Sequence, residues 1–87
     1  MKDYKLQSIL FNKKKYKRKD AIKWLIDHQF KYIKTDETKN YYRMRQLEPD
    51  ILNYLGYNIY RNHKLNDDII FVLAYNNYAN NNYANKN

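Results

Sequence analysis

The chain reads as a small α+β domain, a mostly antiparallel sheet of three to five strands with one main helix packed on one face, in the order β-α-β-β-short helix-β. Three observations predict it. The segment Arg18–Gln29 carries its apolar residues at helical spacing, with Ala21, Leu25 and His28 falling together and Trp24, Ile22 and Ile26 beside them. Several other segments are short, rich in β-branched and aromatic residues, and bounded by polar turns. The chain has 87 residues, enough for one domain with a marginal core, since that size buries only about 60–65% of its unfolded surface.

The first five residues are polar and are expected to fray. The strand that follows, Lys5 to Asn12, alternates so that Gln7, Ile9 and Phe11 share one face and Leu6, Ser8 and Leu10 the other. Lys13-Lys14-Lys15-Tyr16-Lys17-Arg18-Lys19 then places six cations in seven residues. The helix opens on Lys17, which is not a capping residue, although Asp20 stands in the first turn where a carboxylate is favourable. Trp24 reads as core, and His28 reads as structural at the helix C-terminus.

A second strand is expected over Phe30–Lys34, a polar turn over Thr35–Lys39, and a third strand over Asn40–Gln46. Their closeness implies an antiparallel hairpin. Alternation sends Tyr42 and Met44 toward Trp24 and Leu25, and Tyr41, Arg43 and Arg45 to the opposite face, with Lys31 or Lys34 beside them. Glu48-Pro49-Asp50 opens a short helical turn, because Pro suits the first helical position, and Gly56 supplies its left-handed end. Tyr57–Arg61 is extended, Asn66-Asp67-Asp68 is a turn, and Ile69–Tyr75 is apolar on both faces, as an interior strand should be. The domain is thus residues 1–75. Residues 76–87 repeat Asn, Tyr and Ala without a core-forming period and are expected to be a disordered tail.

Composition narrows the function classes. The formal charge is +8, and the N-terminal 45 residues hold 14 Lys/Arg against 5 Asp/Glu, whereas the rest hold 3 against 4. A field of that sign and placement favours nucleic acid or another polyanion. Cys is absent, which removes disulfides and thiolate metal sites, and two histidines make no convincing metal site, so no cofactor is expected. No run is long and apolar enough for a membrane span and no signal-peptide core is visible, so the protein is expected inside the cell, not secreted and without a membrane partner.

The basic run, the Ala21-x-x-Trp24-Leu25-x-x-His28 helix, and Tyr32-x-Lys34-x-Asp36-x-Thr38-x-Asn40-Tyr41-Tyr42-Arg43-x-Arg45-Gln46, followed by a closing apolar strand, resemble a family of short domains of tailed phages and of giant DNA viruses of amoebae. The resemblance covers roughly residues 5–75. Lys17 departs from it where the family tends to cap the helix with Thr or Ser, and Asp67-Asp68 departs where Gly is usual. It implies a viral origin, a compact α/β fold, and residence in the host cytoplasm or the virion. It implies no activity.

Nucleic-acid binding is the first expectation. Arg43 and Arg45 offer phosphate contacts, Tyr41 a stacking platform, and Lys13, Lys14, Lys15, Lys17 and Arg18 a phosphate-binding loop at a helix N-terminus. Against it stands a plain alternative: the arginines pair with Asp36, Glu37 or Asp50, and the lysine run is a solvated loop. No helix-turn-helix, zinc-finger or ribonucleoprotein motif suggests sequence-specific reading. A viral structural or interaction module that self-associates as a homodimer through a sheet edge or face is the second expectation. Catalysis is the weakest, since there is no paired carboxylate, glycine-rich loop or nucleophile motif, and the chain is expected not to be an enzyme.

Overall fold

The computed structural model describes residues 3–32 and 34–76, so the expected tail from residue 77 onward lies outside the described residues. The elements are β1 (Tyr4–Asn12), α1 (Arg18–Asp27), β2 (Lys34–Glu37), β3 (Tyr41–Arg45), α2 (Pro49–Tyr54), β4 (Tyr57–Lys64) and β5 (Ile69–Asn76). The strands form one five-stranded sheet in the order β2-β3-β1-β5-β4, and every neighbouring pair is antiparallel. This is the α+β architecture that the sequence predicts.

β1 is the centre of the sheet because Gln7–Phe11 is the longest uninterrupted buried run among the described residues, tolerable only where both edges are paired and both faces covered. On one face, cross-strand rows run Thr35–Met44–Ile9–Phe71–His63 and Glu37–Tyr42–Phe11–Ile69. α1 lies on this face, and Ala21 and Leu25 close with Ile9, Phe11, Met44 and Ile69 into the main core. Trp24 edges onto Phe11 at 5.5 Å and stacks parallel to Phe30 at 5.8 Å. Tyr42 and Met44 thus face the helix, as alternation requires. The buried arc of α1 is narrower than its apolar spacing suggests, because a ten-residue helix on a sheet seals only its central line. Ile26 is 63% exposed, and the exposed His28 ring lies flat on Trp24 at 3.8 Å.

Both ends of α1 are improvised. Lys17 is the N-cap without an acceptor of its own, and Asp20 Oδ2 accepts the Lys17 backbone N–H at 3.2 Å. At the C-terminus, Phe30 N–H bonds to Leu25 C=O at 2.8 Å and Gln29 N–H to Ile26 C=O at 3.1 Å, the Schellman arrangement. That arrangement needs a left-handed residue, and Gln29 provides it at φ 64 without the freedom of glycine.

The opposite face carries the rows Asp36–Arg43–Leu10–Ile70–Lys64 and Lys34–Arg45–Ser8–Val72–Asn62. α2 packs on this face through Leu52 against Ala74 and Tyr57, with Leu47 beside them. Pro49 stands at its start and Gly56, at φ 89, follows its last turn as expected.

Several expectations are corrected. Of the expected strand Phe30–Lys34, Phe30–Tyr32 is irregular, Ile33 lies outside the described residues, and Lys34 opens a strand. β2 is Lys34–Glu37, largely on the expected turn, and the hairpin turns at Thr38–Asn40, where Thr38 Oγ1 accepts the Tyr41 N–H at 3.0 Å. Its sequence is polar because it is a sheet edge, which makes it resemble a loop. The N-terminus does not fray at Tyr4 and Lys5, since both are in β1, and Asp3 accepts both the Tyr57 hydroxyl and the Asn76 N–H. A bulge between Leu6 and Ser8 breaks the alternation, so Leu6 pairs with Leu73 and joins the α1 face. The displaced Gln7 instead presents its C=O to the Gln46 and Leu47 N–H groups at 2.7 and 3.1 Å. The strand Tyr57–Arg61 extends to Lys64, and β5 passes the expected domain boundary by one residue, to Asn76. No glycine is needed in the β4–β5 turn because Asn66 Oδ1 accepts the N–H groups of Asp68 and Ile69 at 2.8 and 2.9 Å.

Replacing Trp24 by Ala should destabilise the domain by about 3 kcal/mol, and Ile26→Ala by less than about 0.5 kcal/mol. Chemical denaturation of the two variants checks the exposed and packed sides of α1. Gln29→Gly should raise the unfolding free energy by about 0.5–1 kcal/mol, and with it the midpoint, because glycine reaches the left-handed region without a Cβ clash. A lowered midpoint would show that Gln29 is not strained there.

Candidate nucleic-acid interface

β3 presents Tyr41, Arg43 and Arg45 on the face away from α1, each half-buried. They do not behave alike. Arg45 reaches diagonally to Asp36 with Nη2–Oδ2 at 2.6 Å, and its Nη1 meets both Glu48 oxygens at 3.1 and 3.4 Å. Its side chain is only 21% exposed. The hydrogen bond it donates to Glu48, reinforced by the charge of Asp36, pushes its pKa above the ordinary arginine value. Arg45 therefore ties β3 to the edge strand and to the residue that precedes α2, and its charge is spent there. Arg43, although in register with Asp36, makes no hydrogen bond or ion pair with any described residue. It flanks buried Leu10, and its Nε is shielded without a partner. Its stem covers the strand while its remaining donors stay uncommitted. Tyr41 holds the hairpin by its backbone, and Lys34 stands beside Arg45 in register.

The basic run divides in the same way. Lys13 pairs with Glu37, donates to Thr38 C=O at 3.1 Å and lies 5.5 Å over the Tyr42 ring, all on the α1 face. Its hydrogen bond, then its charge, hold the Glu37 carboxyl below the usual glutamate range. Lys14, Lys15, Lys17, Arg18 and Lys19 are exposed, and none forms an ion pair among the described residues. Arg18 approaches the Tyr32 hydroxyl, which Thr35 and then Arg18 hold below the ordinary tyrosine pKa. The run leads into α1 on one face of the sheet and the Tyr41–Arg43–Arg45 stripe lies on the other, so the two groups form separate surfaces joined only at the Asn12–Tyr41 end of β1 and β3.

One region escapes sequence reading. Beyond α1, on the same face, Tyr4, Leu6, His63, Phe71, Leu73 and Tyr75 line an open groove. Its members come from β1, β5 and the neighbourhood of β4, and only the strand order brings them together. The available signal was the alternation Phe71-x-Leu73-x-Tyr75, an apolar face longer than one ten-residue helix can cover.

No helix among the described residues is long and apolar enough to cross a membrane. No protein family, curated protein or solved structure matches this chain.

Arg45→Ala should lower stability by about 1–2 kcal/mol, between the effects typical of exposed and buried pairs, because Asp36 and Glu48 lose a shared partner. Arg43→Ala should lower it less. Urea midpoints in the reverse order would show that the Arg45 fork is not structural.

Proposed function

We propose that the chain is a small, non-sequence-specific nucleic-acid-binding module of viral origin, acting in the host cytoplasm or the virion. The observation that carries this reading is the cluster Lys14, Lys15, Lys17, Arg18 and Lys19, which stands at the end of the sheet and forms no ion pair among the described residues. Unneutralised cations at this density repel one another in the free protein, and a polyanion relieves that repulsion while releasing its own counterions. Phosphate contacts of this kind carry no sequence information. Arg43 adds uncommitted donors on the opposite face, whereas Lys13 and Arg45 support the sheet and are assigned no phosphate.

A second reading, self-association, is favoured by one observation. β4 is an exposed eight-residue edge strand without proline, the kind of edge that can accept another strand.

Changing Lys14, Lys15, Lys17 and Lys19 together to Gln should leave the unfolding midpoint nearly unchanged. The same change should reduce the slope of log affinity against log salt by up to about 3, at roughly 0.7 per lost contact to a single strand. Retention on nucleic acid at two salt concentrations measures it. Salt-independent retention, or equal slopes for the wild type and the variant, would sink the proposal.

A further inference from the structure

The sheet outruns its helix. α1, with ten residues, is about 15 Å long, whereas β1, with nine, extends about 30 Å, so the face that α1 covers at the Phe11 end lies open at the Tyr4 end. There Tyr4 is directly opposite Tyr75 and Leu6 opposite Leu73, and on the next strand Arg61 is opposite Leu73 and His63 opposite Phe71. The Tyr4 and Tyr75 rings are 5.4 Å apart and tilted by 46°, and Tyr4 is 54% exposed. No carboxylate lines the groove, and Arg61 beside it is exposed without an ion-pair partner among the described residues. The nearby Asp3 carboxylate is occupied by the Tyr57 hydroxyl.

We propose that this groove receives the bases of a single-stranded nucleic acid, with Arg61 on the adjoining phosphate. The inference rests on the nucleic-acid reading above and specifies the strandedness of the ligand and where its bases sit. Tyrosine rings offer stacking faces that any base can use, and a duplex keeps its bases paired and out of reach of such a floor. Charge decides against a second copy seated face to face. It would bring Arg61 of two chains, each of net charge +8, together over a groove with no carboxylate to separate them. An anionic occupant with flat apolar faces meets both requirements. The groove and the basic run lie at opposite ends of β1, so each can be altered without touching the other.

The test uses the full chain and measures binding of a labelled oligothymidylate 12-mer, of a 12-base-pair duplex, and of inorganic polyphosphate and polyglutamate as base-free polyanions. Tyr4→Ala and Tyr75→Ala should each weaken the single strand roughly tenfold and leave polyphosphate binding unchanged, and Tyr75→Phe should keep wild-type affinity. Circular dichroism checks that each variant is folded, and exposed Arg61→Gln, which leaves the rings in place, should weaken the single strand more than polyphosphate. Several results would overturn the groove assignment while leaving the nucleic-acid reading intact. They are wild-type single-strand affinity in both Ala variants, equal losses for the 12-mer and polyphosphate, and duplex binding as sensitive to Tyr75→Ala as single-strand binding. Polyglutamate binding lost on Tyr75→Ala would assign the groove to an acidic protein, and a dimer lost on Tyr75→Ala without change in oligonucleotide affinity would assign it to self-association. A wild-type chain that binds neither the 12-mer nor the duplex overturns both proposals.

Discussion

Everything in this domain depends on β1 being paired along both edges. Its ladder partners stand in β3 and β5, both distant in sequence, as Ser8–Arg45 and Leu10–Ile70 show. The two local hairpins, β2–β3 and β4–β5, each offer one edge, and neither has a complete core alone. β1 joins them, brings Ile9 and Phe11 under α1, and sets Ser8 and Leu10 on the other face. The same strand places α2. Its bulge turns the Gln7 carbonyl toward Gln46 and Leu47, fixing the chain just before the helix whose Leu52 meets Ala74. A chain with no disulfide and a modest core gains from such an arrangement, because the parts cannot form separately and therefore form together.

That architecture sorts the basic residues. Positions next to carboxylates on adjacent strands become structural: Lys13 closes on Glu37 and Arg45 on Asp36 and Glu48. Cations in the connection before α1 have no neighbouring strand to neutralise them. Lys14, Lys15 and Lys17 thus stay exposed and outside any ion pair among the described residues, which leaves them most available to an external phosphate. Arg43 is intermediate, since its stem lies along the sheet while Asp36, opposite it, turns to Arg45. Identical residue types therefore differ in role according to whether the sheet provides a partner within reach.

The fold class was legible because its signals are local: the helical spacing of Ala21, Trp24 and Leu25, the two-sided apolar run of β5, and Pro49 and Gly56 around α2. β2 was displaced because Lys34–Glu37 is an edge strand, and its polar residues carry the same signature as a turn. The bulge at Gln7 was invisible because hydrogen bonds to residues forty positions away, not residue type, decide it. For the site, alternation alone put Tyr41, Arg43 and Arg45 on one face. Which arginine is spent could not be read, since that depends on the diagonal reach from Arg45 to Asp36 and on where Glu48 arrives. Tyr4 was expected to fray and Phe71 and Tyr75 were read within a single strand, and a groove shared by three strands exists only once their order is known.

The division of charge along the chain then has a structural counterpart. The N-terminal half, rich in Lys and Arg, supplies β1 through β3, the basic connection and α1, while the nearly neutral C-terminal half supplies β4, β5 and most of the ring-lined groove. β1 runs between the two regions, with cations following its last residue and Tyr4 at its first. A ligand engaging both ends would have to follow the strand for about 30 Å past α1. A flexible polyanion with stacking faces can do so, and a compact anion cannot. For the single-stranded ligand proposed above, the length of β1 sets the separation between the basic end of the domain and the ring-bearing end at about 30 Å, a span of several nucleotides.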